Sequence, residues 1–269
     1  MYMPADICII AAIIGLAAFV QGYGGFGFGL ISMTVFAFTT YQMERMSVAV
    51  SVSGMVVLVV LYMLAQAQAR TRWFDVALVM AGVLPGQYAG YEFIESFGDR
   101  PVFKIALGMV LIVFGINGLY KAHLTPKLPR WSGVLAGVLG GFLGGAFVSG
   151  GPPIVVYLYS RTKDPRHMKG TVQAVFMMAM FYRLVLIWFG ETGYTMPVLR
   201  LSTFCVPAAV LLLWGAHRLS QRSSVQTFRK AVYGLICLFG VTLLVRESAD
   251  GLRKPLPASS RGEEADTVR

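Results

Sequence analysis

The sequence predicts an all-α polytopic membrane protein made of two inverted repeats of about four helical segments each. The first segment of each repeat is expected to be a broken or re-entrant helix. Three observations carry this. Of 269 residues, 56% are hydrophobic and 13% charged, with mean hydropathy +0.66; soluble domains carry about 25% charged residues. Two long apolar runs are interrupted by glycine, GYGGFGFG at 22–29 and GGAFVSGGPP at 144–153. The order of features after each interruption then repeats at an offset of 122 residues.

The first run joins an apolar stretch at 5–20 to another at 30–38 through QGYGGFGFG. A straight helix of that combined length would reach about 45 Å, against a hydrocarbon core of about 30 Å. Two half-helices of a re-entrant hairpin fit better. Each arm alone, at about fifteen residues, is short for a crossing. Apolar segments follow at 46–66, 74–94 and 102–120, and KAHLTPKLPR at 121–130 is a polar linker. The second half repeats the plan, with a broken segment at 131–160 and helices at 168–189, 198–217 and 228–245. Residues 1–120 and 131–245 are therefore the expected repeats, and the polar stretch 246–269 reads as a disordered tail. At the offset of 122, Pro85 meets Pro207, Gly29 meets Gly151, and Met46 meets Met168.

Charge sets a topology. If each broken segment returns to its own side, three further crossings per half invert the halves. Thirteen short-loop basic residues, among them Arg72, Arg130, Arg161 and Arg218, then share one face, against Arg45, Arg100 and Lys104 on the other. This bias marks the cytoplasmic side. If the broken segments cross instead, the count falls to eleven against five. The net charge of +10 is thereby assigned to membrane topology, and nucleic acid is not an expected partner.

Several motifs are read and set aside. Gly22 to Gly27 matches GxGxxG, but a dinucleotide site needs a preceding strand and an acidic residue about twenty positions on. Cys8, Cys205 and Cys237 are widely spaced in apolar runs, and His123, His167 and His217 do not cluster. No metal site, no cofactor and no catalytic residue is expected, and the chain is not read as an enzyme. No cleavable signal peptide is expected either, because MYMPAD lacks a basic region.

Paired breaks inside a membrane place a transport site between them, since the helix restart offers free N–H groups and a positive dipole end to an anion. The second restart, Ser149-Gly150-Gly151 followed by Pro152-Pro153, has favoured first-turn residues. Expected substrate-binding residues are Gln21, Tyr23, Gly24, Gly25, Gly27, Ser149, Gly150, Gly151, Gln173 and Arg183. Gln21 and Tyr23 can donate to an anion or satisfy freed backbone carbonyls. Gln173 pairs with Ser51 at the offset and serves either a pseudo-symmetric cavity or an interhelical bond. Arg183, in FYRLVLIW, is a candidate because a membrane-buried charge costs about 2.5–3.5 kcal/mol on insertion scales; alternatively it reaches the surface, about 9 Å away. Gly137, Gly141 and Gly145 have GxxxG spacing and are expected to pack. Glu92 is the weaker candidate for a proton site.

The paired motifs resemble those of the TauE/SafE sulfite exporter family, also called the toluene sulfonate uptake permease family, over about residues 5–245. Here Tyr23, Phe26 and Phe28 interleave the first glycines, and position 33 is Met rather than a proline. The resemblance implies transport of sulfite or organosulfonates across the inner membrane. The expected function is thus an inner-membrane secondary transporter of small anions, with its site between the breaks at the membrane midplane. A channel-like anion conductor, or a carrier of another small metabolite, is the alternative. A membrane-embedded enzyme or assembly subunit lacks any supporting cluster. The expected partners are a small anionic substrate and the lipid bilayer, and the glycine faces permit a homodimer.

Overall fold

The computed structural model describes residues 4–24, 27–65, 71–120, 128–161, 164–191, 193–220 and 225–253. It is all-helical, with no strand among the described residues. In chain order the helices are α1 (Pro4–Gly24), α2 (Phe28–Ala37), α3 (Met43–Ala65), α4 (Trp73–Phe97), α5 (Pro101–Tyr120), α6 (Ser132–Phe147), α7 (Gly151–Arg161), α8 (Pro165–Phe189), α9 (Met196–Ser220) and α10 (Val225–Arg253). Four of them are long and apolar enough to cross a membrane, over Asp6–Tyr23, Met43–Leu64, Gly170–Phe189 and Met196–Leu219.

Both expected breaks are present, and both are short. α1 stays helical through Gln21–Gly24, so the first arm has 21 residues rather than about fifteen. At 1.5 Å per residue that is about 31 Å, enough to cross. Gly22 does not end the helix, whose last residue is Gly24; Gly27, at φ 106°, starts the next one. α2 and α7 are the short arms, with 10 and 11 residues. α10 also runs beyond its apolar stretch, through residues read as tail, to Arg253. Glu247 is buried there and pairs with Lys104 of α5 at 3.3 Å. The rest of that tail, like most of the linker at 121–127, lies outside the described residues.

Each short helix folds back along its predecessor. The Tyr157 hydroxyl near the end of α7 donates to the Arg130 carbonyl just before α6, at 3.3 Å. Likewise the Tyr41 hydroxyl, beyond α2, donates to the Asp6 carboxylate in the first turn of α1, at 2.8 Å. The segment ends therefore gather into two groups. Arg72, Asp75, Arg130, Arg161 and Thr171 meet at one end. Asp99 meets the Met43 N–H, Lys104 meets Glu247, and Arg246 meets the Phe38 carbonyl at the other.

The most extensive packing is α4 on α6, followed by α1 on α9 and α5 on α10. α3 packs on α9 and on α8, and α8 on α4. Glycine makes the α4–α6 contact possible. A Cβ at Gly82, Gly86 or Gly90 would overlap the carbonyls of Val134, Val138 or Phe142. One at Gly137, Gly141 or Gly145 would overlap those of Val79, Val83 or Gln87. The backbones thus interlock without side chains between them, as small-residue repeats in membrane helices allow. Pro85 and Pro207 each lie inside a helix. Relative to α2–α5, the starts of α7–α10 fall within two residues of a shift by 122.

Candidate functional site

The second break is built by backbone chemistry. α6 ends in Val148, the sole non-glycine residue with positive φ among those described, at 54°. Its neighbour Ser149 sends its N–H back to the Leu143 carbonyl at 3.2 Å. The Val148 N–H reaches the same carbonyl, and this six-to-one bond with a left-handed residue closes the helix end much as a Schellman turn does. A β-branched residue is strained in that conformation, and Gly29 of α2, whose Cβ would overlap Val148, leaves room for it. α7 then starts at Gly151. Pro152 and Pro153 preset the helical φ but carry no N–H, so its first turn donates only through Gly151 and Ile154.

The first break is capped differently. The Gln21 side-chain oxygen accepts the Phe28 N–H at 3.0 Å and so occupies a donor of α2's first turn. Of the two roles open to Gln21, the bond seen is to a freed N–H, not to a carbonyl. The two breaks touch: Gly29 lies so close to Val148 that a Cβ there would overlap the Val148 carbonyl.

Between them is a cavity of about 80 Å³, room for a few waters or one small anion. The first break contributes Gln21, Gly27, Phe28 and Gly29; the second contributes Val148, Ser149, Gly150 and Gly151. Walls come from Gly54, Val57 and Leu58 of α3, Val83 and Gln87 of α4, Gly140 and Gly144 of α6, Ile154 of α7, and Phe176, Ala179, Met180 and Arg183 of α8. No carboxylate is among these residues.

Arg183 is the charged member. It does not reach for the surface: it is 1% exposed. Its Nε donates to the Ser51 hydroxyl at 2.8 Å, and its Nη1 to the carbonyls of Gly144, at 2.8 Å, and Gly145. Those carbonyls belong to the last turn of α6, where no intrahelical donor remains, and a cation suits that end of a helix. The guanidinium carbon also sits 5.9 Å from the centre of the Tyr91 ring. Nη2 has no hydrogen-bond partner. Arg183, a residue of the cavity wall, therefore anchors α6 to α3 with two nitrogens and leaves the third without a partner.

Of the residues expected from sequence, Gln21, Gly27, Ser149, Gly150, Gly151 and Arg183 come together here. Tyr23 is buried and stacks on Phe19, with ring centroids 6.5 Å apart, away from the cavity wall. Gly24 is the last residue of α1 and does not line the cavity, and Gly25 lies outside the described residues. Gln173 falls on the same stripe of α8 as Phe176, Met180 and Arg183 but one turn, about 5 Å, short of the wall. Ser51, its offset partner, acts through Arg183 instead. Gln87 was not foreseen. It is 2% exposed, lines the cavity, and donates through Nε2 to the Ala179 carbonyl at 2.8 Å. Its signal was available as an amide in the middle of an apolar segment, two residues after Pro85. No cluster of three or more metal-ligating side chains occurs among the described residues.

The family model described as "Sulfite exporter TauE/SafE" matches residues 10–243. No curated protein and no solved structure matches the chain. The matched stretch contains both breaks, the cavity and the helices around it, and the family consists of membrane transporters, not enzymes. The chain is a multi-pass membrane protein and belongs to the TauE/SafE sulfite exporter family.

Proposed function

We propose that this protein is an inner-membrane secondary transporter of small sulfur-containing anions, sulfite or organosulfonates, and that the cavity between the two breaks is its substrate site. One observation carries the reading: a fully buried arginine with an unspent nitrogen lines a cavity that has no carboxylate in its wall. A buried cation without an ion pair is costly; Glu95 supplies part of the counter-charge at a distance, and an anion in the cavity supplies more. The first turns of α2 and α7 border the same space and add positive dipole ends.

The transport mechanism follows from an inverted repeat of α1–α5 and α6–α10. Exchanging each helix for its counterpart turns the α4–α6 contact into α9–α1, α3–α9 into α8–α4, and α1–α2 into α6–α7, and all of these pairs pack. α5–α10 and α3–α8 map onto themselves. Six pairs at the offset of 122 line the cavity together, including Gly27 with Ser149, Gly29 with Gly151, and Leu58 with Met180. The site thus lies on the proposed pseudo-two-fold axis, where rocking of one repeat against the other alternates access. The fold-back of α2 and α7 favours two re-entrant hairpins, which puts the end carrying Arg72, Arg130 and Arg161 in the cytoplasm.

Reconstitution in proteoliposomes with radiolabelled sulfite tests this. Saturable uptake by the native protein is expected, with loss in both Arg183→Met and Gly151→Leu while the proteins still elute as folded species. Normal uptake in both variants would refute the site.

A further inference from the structure

A residue of the cavity wall also carries a buried acceptor that nothing satisfies. Gln87 donates through Nε2 to the Ala179 carbonyl. A carbonyl can only accept, so this bond fixes which way the amide is turned. Its other atom, Oε1, is buried and has no hydrogen-bond partner. Gln87 lines the same cavity as Arg183, whose Nη2 is the unspent donor. Both side chains are at least nine-tenths buried. The counterparts of Gln87 and Arg183 at the offset of 122 are Ala209 and Leu61, so donor and acceptor both belong to one side of the site.

A fully deprotonated oxyanion would satisfy the arginine and leave the Gln87 oxygen unpaired. An anion that brings its own O–H or N–H satisfies both. We propose that Gln87 is a specificity-determining residue that selects small monoanions carrying a hydrogen-bond donor on or next to the acid centre, such as a hydrogen-bearing oxyanion or an amino-substituted sulfonate. This rests on the reading of the cavity as the anion site and adds which anions it prefers. Leaving a buried acceptor unsatisfied costs about 1–3 kcal/mol, so the preference is expected to be about tenfold or more.

Two probes of nearly equal size isolate the effect. Amidosulfonate (sulfamate) and methanesulfonate are both monoanions at neutral pH, and the first has N–H donors where the second has a methyl group. Binding of each to the purified full chain is measured by calorimetry or by competition with labelled sulfite. The native protein is expected to favour amidosulfonate by about tenfold. Gln87→Leu and Gln87→Met are expected to lose that preference while still binding methanesulfonate. Equal binding of the two probes by the native protein, as when an ordered water serves Gln87, would overturn the proposal, and that result needs no variant to fold. A preference that persists in both variants would also overturn it. If native protein binds neither probe nor sulfite, the anion reading of the cavity itself fails, which is a separate outcome.

Discussion

Gly29, in the first turn of α2, lies directly against the backbone of Val148, the left-handed residue that ends α6. The two breaks, 119 residues apart in the chain, are therefore one structural unit. Any side chain at position 29 must displace the Val148 carbonyl and with it the turn that aims α7. Gly29→Ala is expected to cost about 1–3 kcal/mol through overpacking and to abolish uptake. Gly215, with nothing near its missing Cβ, is the matched control; Gly215→Ala is expected to be neutral or to stabilise by up to about 1 kcal/mol. Thermal unfolding in detergent compares them, and equal melting temperatures would rule out the contact as described.

Gly144 separates packing from function. The atoms nearest its missing Cβ are 3.6 Å away, an ordinary contact distance, yet the residue lines the cavity. Gly144→Ala should melt at the native temperature and change the KM for transport, because the methyl group takes space from the substrate. A large drop in melting temperature with unchanged KM would contradict this assignment.

Arg183 should not tolerate lysine. Its guanidinium reaches Ser51 with one nitrogen, the end of α6 with a second, and leaves a third without a partner. A lysine ammonium keeps the charge but has no planar fork. Hydrogen bonds to charged groups contribute about 1.5–3 kcal/mol each, so Arg183→Lys is expected to weaken anion binding about tenfold to a hundredfold. Ser51→Ala removes one hydroxyl and should cost about 1 kcal/mol of stability. Affinity retained in the lysine variant would count against the proposed anchor.

The basic end of the bundle is tied by a buried carboxylate. Asp75 of α4 is 1% exposed and sits 3.1 Å from Arg72 and 3.8 Å from Arg161, the last residue of α7. The second distance is an ion pair without a hydrogen bond. Arg72 also donates through its side chain to the Arg161 carbonyl and through its N–H to the Thr171 hydroxyl. Asp75→Asn leaves two arginines facing each other and is expected to cost about 1–3 kcal/mol, less than a fully buried pair because Arg72 is partly exposed. The melting temperature should fall, and Arg161→Met in the same chain should restore part of it. No recovery would mean that Asp75 acts through Arg72 alone.

The helical segments and both breaks were legible because apolar run length and glycine clusters act locally, but the ends of α1 and α10 were not: both helices run on past their apolar stretches. Nor was depth. Gln173 and Gln87 give the same signal in sequence, a lone amide in an apolar segment, but the wall of the cavity is set by which turn of α8 and α4 meets the breaks. Tyr23 missed the wall because α1 continues through its glycines: four more helical residues turn the ring onto Phe19 instead of into a loop. Both roles offered for Arg183, anion contact and a reach to the surface, overlooked a third. The orphan carbonyls at the end of α6 need a donor, and that need appears only once the helix is known to stop at Phe147. The GxxxG spacing in α6 was readable as packing, but its partner on α4, Gly82-Gly86-Gly90, became evident only from the interlocked backbones.

The paired prolines at 152 and 153 have a bearing on how the protein moves. A proline ring collides with the carbonyl four residues earlier in a continuous helix, which for Pro152 is that of Val148. Pro153 adds a second such clash, with the Ser149 carbonyl, so where single prolines are accommodated inside α4 and α9, straightening α6 and α7 into one rod is opposed twice over. The corner is a stiff joint, and the proposed transport cycle is expected to swing whole hairpins about it rather than straighten it.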